Sequence, residues 1–426
     1  MINRVADCPK TRVCRIRILA LSVLGFATFA AAAAGEPMEW QQWRGPARTG
    51  KIEAAAWPDK LDGEHLQQVW TVELGNSYSG PIVAGDRVYV TETRDAKTEH
   101  VQALDRKTGT SLWEASWTGA VSVPFFAKAN GDWIRSTPAL DGDSLYVAGI
   151  RDVVVSLDAA SGKERWRTDL VDRFDSPVPA FGFVASPLVM GNHVYVQGGG
   201  GFVKLDKASG EVVWRVLEDG GGMYGSAFSS PIQATLNGVP QILVQTRQKL
   251  AGVDPESGTV LWSQAVKADQ GMNILTPTVL GNRVFTSSYG GGSILFEIAQ
   301  ASPSEPATVK EVWKTKPQAY MSSPIVIGSH LYLHLRNQRF TCLDLETGKE
   351  AWTTTPYGKY WSMVANGSKI LALDERGDLL LIHATPEKFD LLDSRKVSDN
   401  AWAHLAVVGD EVFVRELKAM TVYRWK

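Results

Sequence analysis

One short pattern recurs along this chain. A Ser/Thr-x-Pro or its remnant comes first, then a Gly-initiated hairpin into an apolar strand. An Asp-x-x-Ser/Thr-Gly turn follows, and a Trp closes the unit. The clearest copy starts at Ser136 and Pro138, passes through Gly142 to Val147, turns at Asp158–Gly162 and closes on Trp166. The closing tryptophans are Trp70, Trp113, Trp166, Trp214, Trp262, Trp313 and Trp352, and the opening prolines are Pro81, Pro138, Pro187, Pro231, Pro277 and Pro324. A period of about 40–50 residues built from short strands leaves each unit unable to bury its own faces, so units must stack on one another.

The strand chemistry agrees. Val88-Tyr89-Val90, Leu145-Tyr146-Val147, Val194-Tyr195-Val196, Leu331-Tyr332-Leu333 and Val412-Phe413-Val414 are β-branched, leucine or aromatic triplets beside turn glycines. No sustained 3.6-residue apolar period occurs after the leader, so the chain reads as all-β. Four short strands per unit at this period predict a β-propeller of four-stranded blades. Six units carry the opening proline. Two are worn: one runs from Trp361 to about Leu392, the other from Trp402 to Trp425 without a Trp-bearing outer strand. A spare strand, Gln68–Leu74, precedes the first opening proline. Pairing it with the last unit closes the ring and removes the exposed sheet edges, which predicts eight blades, with seven as the alternative.

The Asp-x-x-Ser/Thr-Gly turns at 105–109, 158–162, 206–210, 254–258 and 344–348 read as capped hairpin turns, the Gly supplying a positive φ. A calcium loop needs several oxygen ligands, and these carry one Asp each. The seven closing tryptophans read as inter-blade packing. The fifth unit lacks the turn and has a longer polar hairpin at 299–306 instead.

Residues 1–34 read as a signal peptide: Arg4, Lys10, Arg12, Arg15 and Arg17 precede an apolar run ending near Ala34 in small residues. An uncleaved anchor is the alternative. Residues 35–68 form a lead-in and 69–426 the propeller. Cleavage implies an exported periplasmic or extracellular protein of a bacterium with no transmembrane span left. Cys8 and Cys14 go with the leader, and Cys342 remains as a small hydrophobe, so no disulfide forms within the mature chain. Setting aside five basic residues and Asp7 from the 44 and 46 of the whole chain leaves 39 basic against 45 acidic residues, which speaks against nucleic acid. No zinc cluster or haem motif occurs, and the Gly-rich runs at 198–201, 220–222 and 290–292 read as turns. A single ring domain of this size reads as a monomer.

The repeat resembles the PQQ-like propeller repeat over about 70–425, and Trp40–Gly50 resembles the lead-in of secreted bacterial members similar to the outer-membrane assembly propellers. The resemblance implies two outcomes. Quinoprotein dehydrogenases of this kind hold pyrroloquinoline quinone and calcium on the axis, many with a vicinal cysteine pair and an Asp base. This chain has no Cys-Cys pair, so no catalytic, cofactor or metal residue is assigned. The other outcome is a non-catalytic module that binds another envelope protein. A sugar- or peptide-binding sensory propeller is a third.

Any site is expected at one axial mouth, where large residues cluster near the opening prolines: Tyr78, Trp133, Arg135, Phe183, Tyr224, Tyr320, Trp361, Trp402 and His404. The same residues would serve equally to plug the ring. Phe125 and Phe126 read as an apolar loop projecting from one face.

Overall fold

The computed structural model describes residues 39–119, 121–225, 228–299 and 307–426. The expected signal peptide, its cleavage near Ala34 and most of the 299–306 hairpin lie outside these residues. Eight four-stranded antiparallel sheets succeed one another along the chain, forming an eight-bladed β-propeller. The first blade comprises strands Ile82–Ala84, Arg87–Arg94, Thr98–Asp105 and Ser111–Thr118, from the innermost outward. The next five blades repeat that order from Ala139, Leu188, Ile232, Thr278 and Ile325. The seventh comprises Ser362–Asn366, Lys369–Leu373, Asp378–His383 and Asp390–Lys396, and its inner edge also pairs in parallel with Lys51–Ile52.

The eighth blade closes the ring. Its strands Ala406–Val408, Glu411–Arg415 and Ala419–Trp425 take their outer partner from the other end of the chain, Leu66–Glu73. The register runs from Leu66 opposite Trp425 to Glu73 opposite Ala419, so the eighth blade has four strands like the others and Ala419–Trp425 is covered on its outer side. Helix is confined to Leu170–Phe174 and two 3-10 turns among the described residues, and no helix among them is long and apolar enough to cross a membrane.

Five tryptophans couple neighbouring blades by one recurring device. The Trp70, Trp113, Trp166, Trp214 and Trp313 indole N–H groups donate to main-chain carbonyls of Arg106, Ala159, Lys207, Glu256 and Leu345 at 2.8–3.2 Å, each inside the Asp turn of the next blade. The indole ring lies on that turn's glycine. A Cβ added at Gly162 or Gly210 would come within 2.4 Å of the ring, and both glycines have φ of +73° to +74°. Glycine is therefore demanded twice, by backbone conformation and by contact. The Asp caps the same turn: Asp206 Oδ1 accepts the Ser209 N–H at 2.9 Å and its hydroxyl at 2.9 Å. Trp262 faces the blade without such a turn and donates instead to Gln241 Oε1 of its own blade at 2.6 Å.

The opening motif builds a second coupling nearer the axis. The hydroxyl in its middle position accepts a main-chain N–H from the preceding blade. Gly80 donates to Thr137 at 3.0 Å, Thr137 to Ser186 at 3.1 Å, Ser186 to Ser230 at 2.9 Å and Ser230 to Thr276 at 3.2 Å. All four bonds are buried, where an unmet N–H is costly.

Candidate functional site

The lead-in segment closes one end of the axial channel. Trp40 exchanges two main-chain hydrogen bonds with Val83 of the first blade, and the Leu140 N–H of the second donates to the Gln41 carbonyl at 2.8 Å. Arg48 donates to the Pro187 and Ser186 carbonyls of the third blade at 2.7 and 3.1 Å, and Arg44 to the Pro324 carbonyl of the sixth at 2.5 Å. The two guanidiniums lie 5.5 Å from the Trp43 ring, clamping it. Trp43 in turn meets the His404 ring edge-on at 5.2 Å. Burial pushes both arginines down to about 9 and His404 down to about 3, with Arg44 adding to the latter, so at neutral pH the arginines carry charge and the histidine does not.

Above Trp43 the channel opens into a funnel of about 620 Å³. Thr137, Ser186, Ser230, Thr276 and Ser323 line it, the first four being the hydroxyls that couple the blades. Two aromatic arcs form its walls and rim. One passes from Tyr289 to Tyr320, Tyr360, Trp402, Tyr78 and Trp133, with Tyr360 stacked on Trp402 at 4.0 Å and Trp402 4.6 Å from Tyr78. The other passes from Phe126 to Phe181 and Phe228, with Arg247 over Phe228 at 5.0 Å.

Of the residues expected at a mouth, Tyr78, Arg135, Tyr224, Tyr320, Trp402 and His404 line this funnel. Trp133 packs behind Tyr78 at 5.5 Å. Phe183 and Trp361 are placed elsewhere: both are fully buried in the packing between blades, Phe183 beside Val154 and Val196, Trp361 stacked on His334 at 4.8 Å. Each lies close in sequence to an opening motif, but its side chain turns into the blade interface. Phe125 and Phe126 begin a 3-10 turn and are 87% and 73% exposed. Trp43, Arg247, Met272 and the motif hydroxyls also line the funnel. Sequence reasoning passed over them because their meeting place depends on the ring. The Ser/Thr in the middle of each opening motif was the available signal.

The charged side chains that line the funnel are arginines, with carboxylates close behind them: Asp132 acts on Arg135 and Asp219 on Arg247. Arg135 and Arg247 reach its wall, and no Asp or Glu is among its described lining residues. Arg135 donates to the Gly131 carbonyl at 2.7 Å and the Trp133 carbonyl at 3.3 Å, and burial pushes it down to about 10. A calcium ion wants several oxygens, carboxylates foremost. Here it would meet only the amides of Asn130 and Gln270, hydroxyls and carbonyls beside two guanidiniums, so the lining does not suit calcium. The described Glu92, His100 and Glu114 do lie at ligand spacing, on the outer part of the first blade. Arg94 already spans Glu92 and Glu114, reaching the latter at 2.7 Å, so the guanidinium supplies the cation there.

Fold and axial site together define a PQQ-like β-propeller whose N-terminal segment floors the channel. The sequence profile of the family described as "Outer membrane protein assembly factor BamB" matches residues 47–115 and 97–354, and the chain belongs to that family. It is 20% identical to the assembly factor BamB of Yersinia pestis over 84% of this chain and 88% of that protein. It is 26% identical to polyvinylalcohol dehydrogenase of Sphingopyxis, but over 42% of this chain and 28% of the enzyme. Among solved structures, BamB from Moraxella catarrhalis superposes with a TM-score of 0.62 at 16% identity, over 85% of this chain and 98% of that one. The quinohemoprotein alcohol dehydrogenase of Comamonas testosteroni superposes with a TM-score of 0.63 at 14% identity, over 91% of this chain and 80% of that one. These likenesses speak to the fold and not to the chemistry on its axis.

Proposed function

We propose that this chain is a non-catalytic module of the bacterial cell envelope that binds a protein partner and takes part in outer-membrane protein assembly. The observation that carries the reading is the exposed apolar rim of the funnel. Phe125, Phe126 and Tyr224 are 87%, 73% and 70% exposed, and Met223 accompanies Tyr224. Large apolar side chains held in water at one mouth of a rigid ring suit a docking surface, with aromatics as its anchors. Membership of the assembly-factor family gives that surface a place to act, and export by the leader and a monomeric ring belong to the same reading.

The test is complementation. Deleting the gene should lower outer-membrane protein levels, and the wild-type chain should restore them. The double variant Phe125→Ala, Phe126→Ala should fold with an unchanged melting temperature yet fail to restore them. Full restoration by the double variant would remove these residues from the surface. The quinoprotein reading makes a different demand, saturable and calcium-dependent binding of pyrroloquinoline quinone, which a calorimetric titration with and without calcium checks directly.

A further inference from the structure

We propose that a cleft beside the lead-in segment, away from the funnel, holds a small monovalent anion of the chloride type at Arg48. The cleft shares no described lining residue with the funnel, and the inference stands whether or not the funnel's rim docks a protein.

Two guanidiniums are buried in the floor with no acid to neutralise them. Arg44 and Arg48 are 5% and 2% exposed. Burial lowers both, and the charge of Arg44 lowers Arg48 further, while no carboxylate among the described residues acts on either. The acids nearest them in the lead-in lie elsewhere: Glu39 accepts from Gln41, and Glu53 is exposed. The acceptors that the arginines do find are the Thr49 and Pro324 carbonyls for Arg44, and the Ser186 and Pro187 carbonyls and the Gln42 amide for Arg48. Neutral acceptors satisfy donors and leave the charge in place, and a buried charge without a counter-charge is costly.

Of the two arginines, Arg48 borders the cleft. The cleft measures about 330 Å³ and opens between the lead-in and the inner strands of the third and fourth blades, at Leu188 and Ile232–Thr235. Gln42 holds Arg48 in place, its amide nitrogen donating to the Pro46 carbonyl at 2.8 Å while its oxygen accepts from Arg48 at 3.1 Å. Arg48 Nε is buried and has no acceptor among the described residues, which leaves a charged donor unmet. Alternation along Ile232–Leu236 buries Ile232 and Ala234 and leaves Gln233 and Thr235 exposed, so an amide and a hydroxyl add neutral donors to the same cleft. Leu188, Ile232 and Ala234 make the remaining wall apolar. One cation, two neutral donors and an apolar wall suit a weakly hydrated monovalent anion. A sulfate or phosphate would give up more hydration than a single guanidinium returns.

The experiment follows the melting temperature at pH 7 while sodium sulfate is replaced by sodium chloride at fixed ionic strength. The expected result is a saturable rise of about 2 °C, reproduced by bromide. Exclusion of sulfate from the protein surface works in the opposite direction, so the sign separates a bound anion from a general salt effect. Arg48→Gln should abolish the rise. Gln233→Glu, at an exposed position, should fold as the wild type does and abolish the rise by placing a tethered carboxylate in the cleft. It decides the matter should Arg48→Gln fail to fold. No rise with chloride, or a rise of the same size in Gln233→Glu, overturns the proposal. In crystals soaked in sodium bromide, anomalous scattering must place a bromide in the cleft against Arg48, and its absence from that cleft overturns the assignment.

Discussion

At Gly210 two requirements fall on one backbone position. Its φ of +74° disfavours any side chain, and a Cβ would lie 2.4 Å from the Trp166 ring. Gly281 has a similar φ of +62° with nothing within 4 Å of an added Cβ. Conformational strain alone costs about 1–2 kcal/mol, and displacing a packed indole adds a steric term of order 1–3 kcal/mol. Gly281→Ala should therefore lower stability by about 1 kcal/mol and Gly210→Ala by roughly twice that or more, measured by urea unfolding. Equal losses would mean that the indole moves aside freely. Both glycines were visible in the sequence as turn residues. That Gly210 also receives a neighbouring blade's tryptophan depends on a contact 44 residues away, between Trp166 and its turn, which no local pattern encodes.

Among elements, Leu66–Glu73 has the most to do for its length. It supplies the outer strand of the eighth blade, and Trp70 on it docks onto the first blade's turn at Gly109. A chain beginning at Gly75 would leave Ala419–Trp425 with an open edge. It should associate into dimers and larger species on size exclusion, while a chain beginning at Trp57 keeps the closure and should run as a monomer. Identical elution of the two would show that the ring closes without this strand. The spare strand and the missing one could be matched from sequence because both carry the β pattern and lie at opposite ends. The lead-in ahead of it was legible only as a Trp- and Arg-rich segment. Its role as a floor arises because Arg44 and Arg48 reach carbonyls on the sixth and third blades.

For the whole molecule, two buried carboxylates set a pH dependence. Desolvation raises Glu99 to about 7, opposed by hydrogen bonds from the Ile150 N–H and the Trp117 indole, and it raises Asp152 to about 7, opposed by the Gly199 N–H. Each holds its proton more tightly folded than unfolded. Their contribution is thus complete below the ordinary carboxylate range, near pH 4, and is lost as pH rises through about 7. The capped turns act in the opposite sense: Asp158 is pulled down to about 2 by Arg165 and Ser161, so its contribution is present above pH 4 and lost only in stronger acid. The melting temperature should be higher at pH 5 than at pH 8, and Glu99→Gln should flatten that fall. A melting temperature that rises from pH 5 to pH 8 would contradict the buried, protonated state of both groups.

The sequence by itself determined the repeat, the all-β class, the eight blades and the closure of the ring, because these depend on period-2 patterning and turn chemistry that each unit states locally. It also brought forward Tyr78, Arg135, Tyr320 and Trp402 as residues near a mouth. Only the tertiary structure decided which side chains face the axis, sending Phe183 and Trp361 between blades and bringing Trp43 beneath the funnel. It decided, too, that the funnel's described lining holds arginines and no carboxylate. The physical reason is the same in each case. A residue's place relative to the axis depends on the twist of its own blade and on what the neighbouring blades and the lead-in bring to the same point, and those partners lie tens to hundreds of residues away in the chain.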